Sequence, residues 1–279
     1  MTRPPSTSAG AVTPAAALRR VFDDAKAAHR AALVAYLTFG DPDVATSIAV
    51  LEAAARAGAD VLEVGVPFSD PSADGPAIQR AMERAIAGGA TLASALDGIA
   101  ELRRRGIATP VVLFGYFNPV FAMGLPAFAA RAAAAGVNAV LTVDLPMDEL
   151  AELSAPLALH GVGVIPLVAP TSTPERIARL GPFAAPFVYY ISLTGVTGAQ
   201  AAVAPVEPAR LAAIRTAAAA PVAVGFGIRT PADAARFAAI ADGVVVGSAL
   251  VDRVAAGPAA GAPARVAELV RDLAAALTR

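Results

Sequence analysis

"DVLEVGVPFSDPSADGP", residues 60–76, opens as an apolar run and carries a carboxylate, Glu63, near the run's end. A loop follows with three prolines and two further acids, Asp70 and Asp74. Val61, Leu62 and Val64 put apolar side chains on both faces, so the strand is buried on both sides. That is the signature of a parallel sheet covered by helices. Glu63 faces opposite to Leu62 and Val64 and therefore points to the inside of whatever the sheet encloses.

Seven more runs of the same kind follow or precede it. They are "ALVAYLTF" (32–39), "PVVLFGY" (110–116), "AVLTVD" (139–144), "VGVIPLVA" (162–169), "FVYYIS" (187–192), "PVAVGF" (221–226) and "GVVVG" (243–247). Helical stretches separate them. "DPDVATSIAVLEAAARAG" places Ile48, Leu51 and Ala55 at helical spacing. "TLASALDGIAELRRRG" starts at Thr91, carries Leu92, Leu96, Ile99 and Leu102 on one face and stops at Gly106. "TSTPERIARLG" and "RTPADAARFAAIADG" each set a proline at the first helical position behind a threonine cap. Eight strand–helix units predict a (β/α)8 barrel, with an extra helix before the first strand. A doubly wound open sheet is the competing architecture, weakened because no G-x-G-x-x-G opens a helix after the first strand. Residues 1–16 are rich in Pro, Ser, Thr and Ala and read as a disordered tail ahead of one barrel domain, 17–279. The tail lacks the apolar core of a secretory signal; a short transit peptide is the other reading.

Composition narrows the chemistry. The 279 residues carry a formal net charge of −1, which argues against a nucleic-acid surface. No apolar run reaches the roughly 18 residues of a membrane span. There is no cysteine, hence no disulfide, thiolate ligand or thiol nucleophile; this fits a reducing, cytoplasmic setting. Of 22 Lys and Arg, only Lys26 is lysine, and the two histidines are His29 and His160. The barrel therefore offers no lysine for a Schiff base and no histidine pair for a metal. Chemistry must rest on carboxylates, tyrosines, hydroxyls and backbone N–H groups.

Barrel sites lie at the C-terminal strand ends. Those ends supply Tyr36 and Thr38, Glu63, Tyr116 and Asn118, Asp144, Tyr189, Tyr190 and Ser192, then "GFG" (225–227) and "GS" (247–248). Glycines after the last two strands fit a phosphate cradle of backbone amides, with the Ser248 hydroxyl adding to it; ordinary tight turns are the alternative. Glu63, buried without lysine or histidine nearby, should have a raised pKa suited to proton transfer, unless an arginine pairs it. Asp74 is either a helix cap or a second carboxylate facing Glu63. Asp70 is a turn former. "SLTGVTGAQAAVAPVEP" after the sixth run is long enough for a lid.

"LEVGVPFSDPSADGP", "YLTFGDP", "YYISLTGVTG", "GFGI" and "GSAL" stand in an order and spacing that resemble the tryptophan synthase α-subunit family, from about Leu18 to the C-terminus. The resemblance implies a carbon–carbon lyase that cleaves indole-3-glycerol phosphate into indole and glyceraldehyde 3-phosphate by a retro-aldol step. It implies catalytic roles for Glu63, Asp74 and Tyr189. Gly198, Gly227, Gly247 and Ser248 match the phosphate-binding positions. Tyr36, Tyr116, Leu141, Leu167 and Phe226 match the indole pocket, and Asp70 and Asn118 match segments facing a β subunit in an αββα assembly. It implies no metal and no cofactor on this chain, with pyridoxal phosphate on the β subunit. A stand-alone lyase releasing free indole and a weakly active regulatory subunit remain rival readings. Ser72 departs from the family, which usually has an apolar residue there.

Overall fold

The computed structural model describes residues 12–191, 206–225 and 227–278. Its strands are β1 (Ala32–Thr38), β2 (Val61–Gly65), β3 (Val111–Gly115), β4 (Ala139–Thr142), β5 (Gly163–Val164), β6 (Leu167–Val168), β7 (Val188–Ile191), β8 (Val222–Gly225) and β9 (Gly243–Val246). All neighbours pair parallel, in the order β5-β4-β3-β2-β1-β9-β8-β7-β6.

The sheet has nine strands where the sequence predicts eight, because the fifth run is cut at Ile165–Pro166. Proline has no N–H to continue a ladder. Its first half, β5, bonds β4, and Ile165 N donates to Val140 O at 2.9 Å. Its second half, β6, bonds β7, and Tyr189 N donates to Pro166 O at 3.0 Å. The two ends of the sheet are thus the two halves of one run, which closes the cylinder. The structure is a (β/α)8 barrel.

Alternation along each strand builds two separate cores. Odd and even positions send Leu33, Leu62, Val64, Leu113 and Val140 outward under the helices. Val34, Val61, Val112, Phe114 and Val245 point inward. The helices start where their caps predict: Asp43 caps Val44–Arg56, Thr91 caps Leu92–Arg104, and Thr173 and Thr230 precede Pro174–Ala178 and Pro231–Ala238.

The floor is closed by the extra helix, Pro14–Ala27, with Thr13 as its cap. It begins inside the stretch expected to be a disordered tail, so the ordered chain starts before residue 17. Leu18, Phe22 and Ala25 are its buried face, and Phe22 packs on Phe187 with ring centroids 4.8 Å apart. Gly243 makes room for it, since a Cβ there would lie 2.7 Å from Phe22. Asn138 ties the helix to the strands: its Nδ2 donates to Pro14 O, and its Oδ1 accepts from Val111 N and Arg103. Among the described residues, no helix is long and apolar enough to cross a membrane.

Candidate active site

Glu63 sits on β2 between Tyr36 of β1 and Val112 of β3, pointing into the barrel. It is 1% exposed, and its Oε1 has no hydrogen-bond partner among the described residues. Among the described residues no arginine pairs with it, so the structural ion pair left open by the sequence is not formed. Burial, with the nearby charge of Asp74 adding to it, pushes its carboxyl up to about 8.

Asp74 reaches the same interior from the loop after β2. The helix that follows, Pro76–Ala87, is preceded by Gly75 and has no side-chain cap, so capping is not the role of Asp74. Its Oδ2 instead accepts the Tyr116 phenol at 2.7 Å. Tyr116 accepts Ala73 N at 3.0 Å, and Gln79 Nε2 donates to Asp74 O at 2.9 Å, so the loop is held at three points. Burial raises Asp74 to about 6, with the phenol's hydrogen bond pulling the other way. Ser72 is exposed and donates its N–H to Asp70 O; Asp70 is exposed too and accepts the Ser69 hydroxyl, a turn former as expected.

Three of the four tyrosines turn inward and ring these acids. Tyr36 is buried, edge-on to Phe114 at 5.2 Å, with its phenol 3.4 Å from Thr38 Oγ1. Tyr189 is buried, and its pKa is raised by burial and then by the charges of Glu63 and Asp74. Tyr190 faces the outer core. Tyr116 lies against Phe68, with centroids 4.7 Å apart. Two strand-end glycines explain how these rings fit. A Cβ on Gly65 would overlap the Tyr36 phenol, and one on Gly225 would overlap that of Tyr189. Gly225 thus serves ring packing, a role the sequence reading of "GFG" as an anion cradle did not separate out.

Gly227 has φ +76°, the left-handed region open to glycine. Gly247 immediately precedes the helix Ser248–Ala255, whose N-terminus carries no side-chain cap, and Ser248 is half-buried there. Leu141 is buried inside the barrel and Leu167 is partly buried beside it. Asn118 lies on the exposed side of the helix Phe117–Met123, one turn from Phe121, which is 61% exposed. Gly198, Phe226 and the long segment after β7 lie outside the described residues. Among the described residues no group of three or more His, Cys, Asp or Glu is arranged to hold a metal. The sequence reading missed the Tyr116–Asp74 bond, the Gln79 anchor and a bond from Phe117 N to Asp144 Oδ1 at 2.8 Å. Asp144 was visible only as an acid at a strand end.

Two buried carboxylates of different pKa, ringed by phenols, stand at the C-terminal mouth, where barrel enzymes carry their chemistry. The family model for the tryptophan synthase alpha chain matches residues 22–278, and the chain belongs to that family. It is 49% identical over 256 residues to the tryptophan synthase alpha chain of Dechloromonas aromatica, covering 92% of this chain and 96% of the relative. It is 52% identical over 230 residues to that of Geobacter sulfurreducens, covering 82% and 87%. Among solved structures, Mycobacterium tuberculosis tryptophan synthase superposes with a TM-score of 0.84 at 41% identity, covering 94% of this chain and 98% of the other.

Proposed function

We infer that this chain catalyses the α reaction of tryptophan synthesis, the retro-aldol cleavage of indole-3-glycerol phosphate to indole and glyceraldehyde 3-phosphate. The observation that carries the reading is Glu63, enclosed and without an ion-pair partner among the described residues, sharing the barrel mouth with Asp74. An indole ring is its own electron sink once C3 is protonated, so no imine is needed. Lys26, the chain's one lysine, lies on the floor helix, at the N-terminal end of the barrel and away from the strand C-termini.

Glu63, protonated near neutral pH, delivers its proton to C3 and gives an indolenine. The resulting carboxylate then takes the proton of the side-chain hydroxyl next to the ring, the C–C bond breaks, and neutral indole leaves with the carbonyl product. Asp74 is ionised in the same range and accepts the indole N–H as positive charge builds on nitrogen. Tyr189 packs at the reacting carbons, and Tyr36, Tyr116, Leu141, Leu167 and Phe226 enclose the ring. Gly198, Gly227, Gly247 and Ser248 hold the phosphate, remote from the reacting bond, so its binding energy orients the substrate. Asp70 and Asn118 contribute to a surface for a β subunit, which carries pyridoxal phosphate and takes the indole in an αββα assembly in the cytoplasm.

Incubation with indole-3-glycerol phosphate, with and without a β subunit, tests this by the appearance of indole. Glu63→Gln should lose about 10²-fold or more in kcat, the scale of a removed general acid–base. A variant with near-normal indole production rules out the assignment. Asp74→Asn should lose kcat while keeping its affinity for the phosphate-bearing product.

A further inference from the structure

We propose that Asp144 is a positioning residue for Asp74, acting through the first turn of the helix Phe117–Met123 and the Tyr116 phenol. The proposal rests on the reading above and adds a residue to it. Tyr116 occupies the cap position of that helix, with extended backbone at φ −103° and ψ 152°, yet makes no capping bond. Its side chain is committed elsewhere, donating to Asp74 Oδ2 at 2.7 Å and accepting Ala73 N at 3.0 Å. A helix start without a cap leaves N–H groups unsatisfied and is free to fray. Asp144 supplies the missing acceptor from outside the helix, taking Phe117 N on Oδ1 at 2.8 Å.

The atom Asp144 holds belongs to the residue directly after Tyr116. The support behind it is stiff: Gly115 pairs with Thr142 across β3 and β4, and Val143 N donates to Gly115 O at 3.0 Å. A continuous path therefore runs from the Asp144 carboxylate through Phe117 N–H and the Tyr116 ring to the Asp74 carboxylate. It joins the ends of three neighbouring strands, β2, β3 and β4. Asp144 reaches the centre through this path.

The test uses the full chain in the indole-release assay. Asp144→Ala should lower kcat about tenfold with KM within about twofold, the cost of a misplaced group in an otherwise intact site. Asp144→Asn keeps an acceptor oxygen for Phe117 N–H and should restore kcat to within about twofold. Tyr116→Phe removes the phenol and should also cost about tenfold; the double variant Asp144→Ala/Tyr116→Phe should cost about tenfold as well, since both act on one contact. Full activity in Asp144→Ala, failure of the Asn rescue, or a double variant near the hundredfold product overturns the proposal. A wild-type chain that releases no indole overturns the functional reading and this proposal with it; an active wild type with any of those outcomes overturns this proposal alone.

Discussion

Glu63 and Asp74 are both carboxylic acids, and their surroundings set them apart. Glu63 titrates near 8 and Asp74 near 6, each raised first by burial. The productive pair is protonated Glu63 with ionised Asp74, so kcat/KM should be bell-shaped, with apparent limbs near 6 and 8 that belong to the coupled pair. Asp74→Asn should remove the acid limb and draw the basic limb downward, because the Asp74 charge helps to raise Glu63. A flat profile across that range contradicts the assignment. The same shift carries a stability cost of definite sign. Below about pH 4.5 Glu63 is protonated folded and unfolded, and it penalises neither state. Between 4.5 and 8 the unfolded chain alone ionises, so stability falls by up to about 1.4 kcal/mol per pH unit; above 8 the loss is complete. Urea titrations should show the stability of Glu63→Gln, relative to wild type, rising from pH 4 to pH 8. The inward aim of Glu63 was legible in two flanking residues, because a period of two leaves no choice. The partner of Asp74 was not legible, because Tyr116 lies 42 residues further on and meets it through barrel curvature.

Strand ends show how far local rules carry. Helix starts at Thr91, Thr173 and Thr230 were legible because a hydroxyl before a proline or an apolar face has one common use. The break at Pro166 was signalled by a proline inside an apolar run. That its halves bond opposite ends of the sheet follows only from closure. The glycines were harder, since tight turns, anion cradles and close ring contacts all select glycine. Two substitutions separate these causes. A methyl on Gly225 overlaps Tyr189, so Gly225→Ala should cost about 1–3 kcal/mol in denaturant midpoint terms and lower kcat by displacing the phenol. A methyl on Gly247 meets Tyr36 at 3.4 Å, an ordinary contact at φ −118°. Gly247→Ala should therefore hold its stability within about 0.5 kcal/mol and raise KM, the signature of a phosphate contact. Equal effects on stability at both positions contradict this division.

At the scale of the whole barrel, eight alternating units made the architecture readable, but the extra helix before β1 starts at Pro14, inside the stretch read as a tail. Thr13–Pro14 is the same start signal as Thr173–Pro174 and Thr230–Pro231, hidden by the Pro, Ser and Thr composition around it. A barrel needs something at its N-terminal end, because inward side chains there are small: Ala32, Ala139, Ala223 and Gly243 leave a hollow. Phe22 fills it, 1% exposed, against Phe187 and over Gly243. The backbone around the hollow is pinned through Asn138 to Pro14, so the walls are held apart and relax little when the ring is removed. Phe22→Ala should accordingly cost about 3–5 kcal/mol, the upper range for a truncated core aromatic. The C-terminal mouth is built from the opposite ends of the strands, so KM and the two limbs of the pH profile should stay where they are in the folded fraction. Equilibrium unfolding gives the first quantity and steady-state assays below the midpoint give the second. A small stability loss, or a shifted pH profile with normal stability, shows that the floor helix is not the independent plug that its packing describes.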